Sequence, residues 1–330
     1  VASVSGQRYT SVKDAWNAVK NGGTIDLLTD WNLKSMYDNC LTVEKSAAVT
    51  VNLNGHMIDR GLANTKYYGY GDGQIFYVKD NASLTVNGGD PTPHAGYSDG
   101  HLWFPGGNGS VILTGGVLTG GACDDSDGAG AISMMKNATV TLNDVTVAGN
   151  LADCYGALYG HAGAIRMHNS GSVLNLNDTK IVYNHAEDNG GGIYIDDDNC
   201  LVNMSNSEIS HNFACDDGGG IYSNDVKTTI KMSNGSKIEY NSADAGAGIY
   251  FNYAQFVLKS EDATASISHN QATSGDGGAI HIQHDRSWLF FGNTNSGSIY
   301  GVRFDENTAS GYGGAVYIQQ ESVAVSGCEI

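Results

Sequence analysis

Asn184-His-Ala-Glu-Asp-Asn-Gly-Gly-Gly-Ile193 is the stretch that decides the architecture. It joins an Asn-x-Ala turn to a glycine-rich loop and then to the start of an Ile/Val strand. Related phrases run from Asn150 to Ile165, Asn212 to Ile221, Asn241 to Ile249, Asn270 to Ile280 and Asn307 to Val316. Self-similarity with a period of about 28 residues marks a solenoid, whose units bury their apolar faces only against their neighbours. A residue type that recurs at one repeat position is therefore first a stacking device. Function is sought where the repeat breaks.

Working outward, each unit reads as three short strands. The first begins at Ile132, Ile165, Ile193, Ile221, Ile249, Ile280 and Val316, with Ile75 and Leu102 as earlier counterparts. The second alternates apolar and polar residues, as in Val140–Leu142, Leu174–Leu176, Val202–Met204 and Ile230–Met232. The third places Val147, Ile181, Ile209, Ile238, Ile267 and Phe304 three residues before the turn asparagine. Period-2 strands with no helices between them predict an all-β, single-stranded parallel β-helix of about 9–11 coils, right-handed by the usual rule for parallel crossovers. The asparagine column 150, 184, 212, 241, 270 and 307 predicts an internal amide ladder bonded from coil to coil.

Residues 11–23 predict the one helix. Ser11 is its N-cap, Ala15, Trp16, Ala18 and Val19 form the apolar stripe, and Gly22-Gly23 stop it. Residues 1–23 then form an N-terminal cap, and 24–330 form the solenoid. The sequence stops in mid-coil at Cys328-Glu-Ile330, which leads us to expect continuation or a further domain of the same protein.

Of 330 residues, 45 are Gly and 3 are Pro, and the glycines are periodic, which argues against disorder. The formal charge of −18 makes nucleic acid a poor partner, and polyanionic substrates and anionic membrane surfaces are disfavoured for the same reason. No apolar run is long enough to cross a bilayer. The chain starts at Val1 without Met, consistent with removal of a leader, so we expect an extracellular or cell-surface location. The six cysteines include no C-x-x-C. Cys123 and Cys154 occupy the same loop of successive units, so a bridge between them and buried thiols are both open.

Strand alternation places Arg166/His168, Tyr194/Asp196, Tyr222/Asn224, Tyr250/Asn252 and His281/Gln283 on one outward face. Aromatic rings beside short polar groups suit a sugar, with apolar ring faces and hydroxyl edges; a ladder that only stabilises the sheet is the competing reading. The ladder breaks at Arg166 and His168, and Asp196 is the one acid in its column. The loop just before, Leu151–Ala164, carries extra residues including Tyr155, Tyr159 and His161. Enlarged loops on a regular scaffold are where binding concentrates.

Acids also line the loops entering this strand: Asp124, Asp125, Asp127, Asp153, Asp188, Asp216, Asp217, Asp244 and Asp276. Stacked coils stack these carboxylates, and repulsion raises some of their pKa values. Glycoside hydrolysis needs two carboxyls, about 5–5.5 Å apart for retention or about 6.5–9.5 Å for inversion. Asp188 with Asp196 is the first candidate pair. Asp217 follows one coil on, but the residue standing where Asp196 does is Asn224, which can be neither acid nor nucleophile. Asp124, Asp125 and Asp127 form a candidate structural Ca²⁺ site, although EF-hand spacing and the G-G-x-G-x-D repeat are absent; no cofactor is expected for the chemistry itself. No P-loop or H-E-x-x-H occurs.

Phrases such as the one at Asn184 resemble the pectate-lyase-like β-helix superfold as it occurs in large extracellular proteins of gut Firmicutes. Lyases of that superfold use Ca²⁺ or Lys/Arg against acidic sugars, which the acidic face with its single Arg166 does not favour. The chain is more similar to the β-helical lacto-N-biosidases, which use two Asp close in sequence. That resemblance implies such a role for Asp188 and Asp196, or for Asp217 with its neighbours. We therefore expect a glycoside hydrolase for neutral oligosaccharides or glycoconjugates. The alternatives are a non-catalytic adhesin, glycan-binding or stalk module and, further off, a polysaccharide lyase.

Overall fold

The computed structural model describes residues 1–33, 40–62, 73–90, 113, 115–123, 128–152, 160–224, 227–252, 255–283, 297–319 and 323–330. Among these, β-strands stack in register into four sheets of twelve, nine, seven and nine strands. All pairings are parallel except in the N-terminal hairpin, Ala2–Val4 with Gln7–Tyr9, whose first strand lies antiparallel to Gly23–Leu27 and so covers the edge of the first coil. The fold is thus the expected all-β parallel solenoid. No helix among the described residues is long and apolar enough to cross a membrane.

One coil shows the pattern. His185–Ala186 is followed by Ile193–Ile195, Leu201–Ser205 and Glu208–Ser210. Each pairs with its equivalent one coil on: Ile193 with Ile221, Val202 with Ile230, Ile209 with Ile238, His185 with Phe213. The inward residues Ile193, Ile195, Val202 and Ile209 are wholly buried, and their like neighbours continue the core along the axis.

The structure adds a fourth strand to the three expected per coil. It is a two-residue ladder after each turn asparagine, running through Ala122–Cys123, Leu151–Ala152, His185–Ala186, Phe213–Ala214 and onward. Two residues are too few to carry an alternation signal. Ala214, Ala243 and Ala272 of this ladder are buried and pack with Ala247 in a cluster of their own.

A helix, α1, spans Val12–Val19. Ser11 caps it by accepting from the Asp14 amide at 3.3 Å. Its buried Ala15, Trp16 and Val19 lie over the open end of the core. The Trp16 ring meets Phe76 at 5.7 Å, and its Nε1 donates to the Thr42 carbonyl at 3.0 Å. The helix is shorter than residues 11–23 because Gly22 and Gly23 adopt φ values of +129° and +134°, and Gly23 already opens the next strand.

The expected amide ladder is present and buried. Asn212 accepts at Oδ1 from the backbone N–H of Asn184 at 3.0 Å and from its Nδ2 at 2.9 Å. Its own Nδ2 donates to the Ile181 carbonyl at 2.9 Å and to Asn241 Oδ1 at 3.0 Å. The same bonds link Asn150 to Asn184, Asn241 to Asn270, and Asn270 to Asn307. The residues just before, Tyr183, His211, Tyr240 and His269, sit at φ near +57°, so the side-chain bonds hold a corner that non-glycine residues rarely adopt. A second amide ladder, Asn52–Asn87–Asn143–Asn177, lines another sheet with Nδ2–Oδ1 distances of 2.7 to 2.8 Å.

Asn212→Ala leaves a buried N–H and a buried carbonyl unsatisfied, each costing about 1–3 kcal/mol. The expected loss is about 3 kcal/mol, read from the midpoint of urea unfolding; an unchanged midpoint contradicts a structural role for the ladder.

Candidate active site

The sheet holding Ile165–Met167, Ile193–Ile195, Ile221–Asn224, Ile249–Asn252 and Ile280–Gln283 carries the candidate residues. Alternation does turn Tyr194, Tyr222, Tyr250 and His281 away from the core, but they are not exposed. Their relative accessibilities are 4, 6, 4 and 8 %. This corrects the expectation of an open aromatic face.

The cause lies in the glycine-rich loop that enters each strand and doubles back over it. Gly190, Gly218 and Gly246 have φ of +74°, +69° and +55°. A Cβ at these positions would stand 2.9, 2.7 and 2.9 Å from the Cβ of Tyr194, Tyr222 and Tyr250. Only glycine combines that conformation with that approach. Ala129, Ala162 and Ala245 complete the cover over the three rings.

Beneath the loops the rings form one stack. Tyr194 and Tyr222 lie 5.2 Å apart and 2° from parallel, Tyr222 and Tyr250 5.2 Å and 10°, and Tyr250 and His281 4.6 Å and 19°. His161 closes the N-terminal end of the stack, 4.4 Å from Tyr194 and 9° from parallel. This is the stacking-ladder arrangement, with the rings facing one another rather than solvent.

At that end the repeat breaks and the chemistry concentrates. Arg166 stands in register with Tyr194, and its guanidinium lies 5.2 Å from the centre of that ring. Its Nη2 is 2.5 Å from Asp196 Oδ2, and His168 Nδ1 is 3.1 Å from the same oxygen. Burial opposes ionisation of Asp196, but the His168 hydrogen bond and the Arg166 charge outweigh it and hold the carboxyl far below the usual range. Asp196 is a fixed anion.

Asp188 has the opposite surroundings. Burial, then a hydrogen bond with Asp216 and that residue's charge, push its pKa up to about 7. Asn189 Nδ2 donates to its Oδ1 at 3.0 Å, and His161 Nδ1 lies 3.2 Å from its Oδ2. Burial, with the Arg166 charge adding to it, lowers the His161 pKa to about 4, so the imidazole beside Asp188 is neutral near pH 7.

The structure therefore brings Asp188, His161, Tyr194, Arg166, Asp196 and His168 into one contiguous chain of contacts. Asp217 belongs elsewhere. It lies one coil on, where burial and the charges of Asp216 and Asp244 raise it to about 7 against the Ala245 N–H and the Tyr250 hydroxyl. Asn224 accepts from Asn252 Nδ2 at 3.0 Å and so extends an amide column. Tyr222, Tyr250 and His281 continue the ring stack. His281 Nδ1 lies 3.3 Å from the Asp276 carbonyl. Tyr155, Tyr159, Asp124, Asp125, Asp127, Asp153 and Cys154 lie outside the described residues, and with them the candidate Ca²⁺ site and one half of the Cys123–Cys154 pairing.

Sequence reasoning named Asp216 only as one of many loop acids. Its position four residues after the turn asparagine, shared with Asp188, was the signal that the two carboxyls would meet. A cluster of His185, on the adjoining two-residue ladder, with Glu187 and Cys215, which directly follow its strands, was not anticipated.

Chemically, the site links Asp188, hydrogen-bonded to Asp216, through the His161–Tyr194 stack and Arg166 to the clamped carboxylate of Asp196. Comparison of the chain with protein families, characterised proteins and solved structures returns no match.

Asp196→Asn strips the buried Arg166 of its counter-charge, and breaking such a pair costs about 3–5 kcal/mol. Because the folded pKa of Asp196 lies below its unfolded one, this stabilisation is present above the ordinary carboxylate range and is lost as pH falls through the folded value. Urea midpoints are expected to separate wild type from variant at pH 7, with the gap starting to narrow only below about pH 4 and continuing to close as pH falls toward the depressed folded value of Asp196. A gap independent of pH would mean that the ion pair is not its origin.

Proposed function

We propose that this solenoid is an extracellular or cell-surface carbohydrate-active protein, a glycoside hydrolase cleaving neutral oligosaccharides or glycoconjugates. The observation that carries the reading is geometric. Asp188, hydrogen-bonded to Asp216, reaches the His161–Tyr194 stack through His161, and Asp196, clamped by Arg166 and His168, reaches it through Arg166, where Arg166 and His168 interrupt the repeated columns. Two carboxyl groups kept in different protonation states by their surroundings are the requirement for an acid and an anionic partner. Asp188 is assigned the acid and Asp196 the nucleophile or base. Arg166, His168 and His161 position these two groups. The resemblance to β-helical lacto-N-biosidases within the pectate-lyase-like superfold supports the same assignment.

A second reading has its own observation. The Tyr194–Tyr222–Tyr250 stack is regular and covered by its loops, as expected of a stalk or glycan-binding module whose rings serve stability alone. A polysaccharide lyase is supported less, because Arg166 is already engaged by Asp196 and the loops are acidic.

Incubation with a panel of glycans, read by mass spectrometry for cleavage products and retained ligand, separates these readings. A hydrolase releases products, and Asp188→Asn lowers turnover by about 10²-fold or more while leaving the unfolding midpoint near or above wild type. Retention of a glycan without cleavage supports the binding module. Cleavage that persists in both Asp188→Asn and Asp196→Asn contradicts the assignment.

A further inference from the structure

The two-residue ladder after the turn asparagines carries small or apolar residues in most coils. It turns polar at His185 and at Gln271. His185 and Glu187 lie on one coil, and Cys215 stands on the next, where its N–H bonds the Ala186 carbonyl at 3.0 Å. His185 Nε2 lies 3.4 Å from Glu187 Oε1. Cys215 Sγ lies 3.7 Å from His185 Nε2 and 3.7 Å from Glu187 Oε2.

These three distances have a specific meaning. Around a tetrahedral Zn²⁺ with Zn–S of about 2.3 Å and Zn–N or Zn–O of about 2.0–2.1 Å, the nitrogen–oxygen edge is about 3.3 Å and each edge to sulfur is about 3.6 Å. The His185–Cys215 distance matches one edge of that tetrahedron, and Glu187 comes as close to the other two through different oxygens, Oε1 toward His185 and Oε2 toward Cys215; one ligand atom from each of the three residues lies within 4.8 Å of the others. Phe213, edge-on to His185 at 5.1 Å and 87°, packs against the imidazole and helps fix its plane.

We propose that His185, Glu187 and Cys215 form a binding site for a zinc-class transition-metal ion, with three protein ligands and a fourth position open to water. A thiolate and an imidazole select zinc and its neighbours over Ca²⁺ or Mg²⁺, which prefer all-oxygen shells. The side chains of His185 and Glu187 are 14 and 39 % accessible, so one side of the site faces solvent and an ion has a path in. Binding releases the Cys215 proton to solvent as the sulfur becomes a ligand. The ion would tie two successive coils together one residue away from Asp188. The inference does not depend on the catalytic proposal, since it requires only that the three side chains meet.

The test uses the whole chain, purified in chelator and titrated with Co²⁺ and then with Zn²⁺. One equivalent of Co²⁺ is expected to give the near-ultraviolet charge-transfer absorption of a cobalt–thiolate bond, and one equivalent of Zn²⁺ is expected to remove it. Cys215→Ser should abolish the band, and His185→Gln and Glu187→Gln should each weaken binding roughly tenfold or more. Cys328→Ser should leave both unchanged. Circular dichroism and urea midpoints of the metal-free variants establish that they are folded; Glu187→Gln, the most exposed position, serves if another variant is not. Absence of stoichiometric binding in the folded wild type overturns the proposal. So does a thiolate band that survives Cys215→Ser, or affinity unchanged in Glu187→Gln.

Discussion

Each coil in the regular half of this chain turns on one asparagine side chain bonded to the asparagine of the next. That amide satisfies the backbone of its own corner and of the neighbouring coil at once. Because every Asn side chain has one geometry in which all its bonds are made, the ladder fixes where each coil begins relative to the last. Register then follows everywhere else. Isoleucine falls on isoleucine in the core, tyrosine on tyrosine outside it, and aspartate on aspartate in the loops.

The last of these is the costly one. Rings gain from being stacked, but carboxylates do not, and a solenoid that repeats Asp at one loop position forces them together. Asp188 and Asp216 answer by sharing a hydrogen bond. Asp196 escapes because its column changes type, with His168 on the preceding coil and Arg166 two residues before it. Two carboxyls in opposite states thus arise from one regular constraint and one local break in it. The extra residues of the Leu151–Ala164 loop fall at the same break.

Much of this was legible in the residues. The Asn-x-Ala phrase, the Ile/Val columns and the Ser11 cap each have a local cause that sequence displays directly. The cluster around Asp196 was legible because Arg166, His168 and Asp196 interrupt columns that are otherwise constant. What could not be read was the third dimension of the loops. Alternation says which way Tyr194 points, but not that Gly190 turns the chain back across it. That needs the positive φ and the missing Cβ to be seen together. The two-residue ladder was hidden for a related reason: His185, Glu187 and Cys215 meet only when one coil is laid on the next, and a strand of two residues announces nothing.

The central claim is that in-register stacking brings Asp188 and Asp216 together and thereby changes the acidity of Asp188. Carboxyl-carbon NMR titration of the wild type and of Asp216→Asn tests this most directly. The account predicts that Asp188 titrates near pH 7 in the wild type and moves down toward the ordinary carboxylate range when Asp216 is replaced. An Asp188 that titrates near pH 4 in both proteins would contradict it.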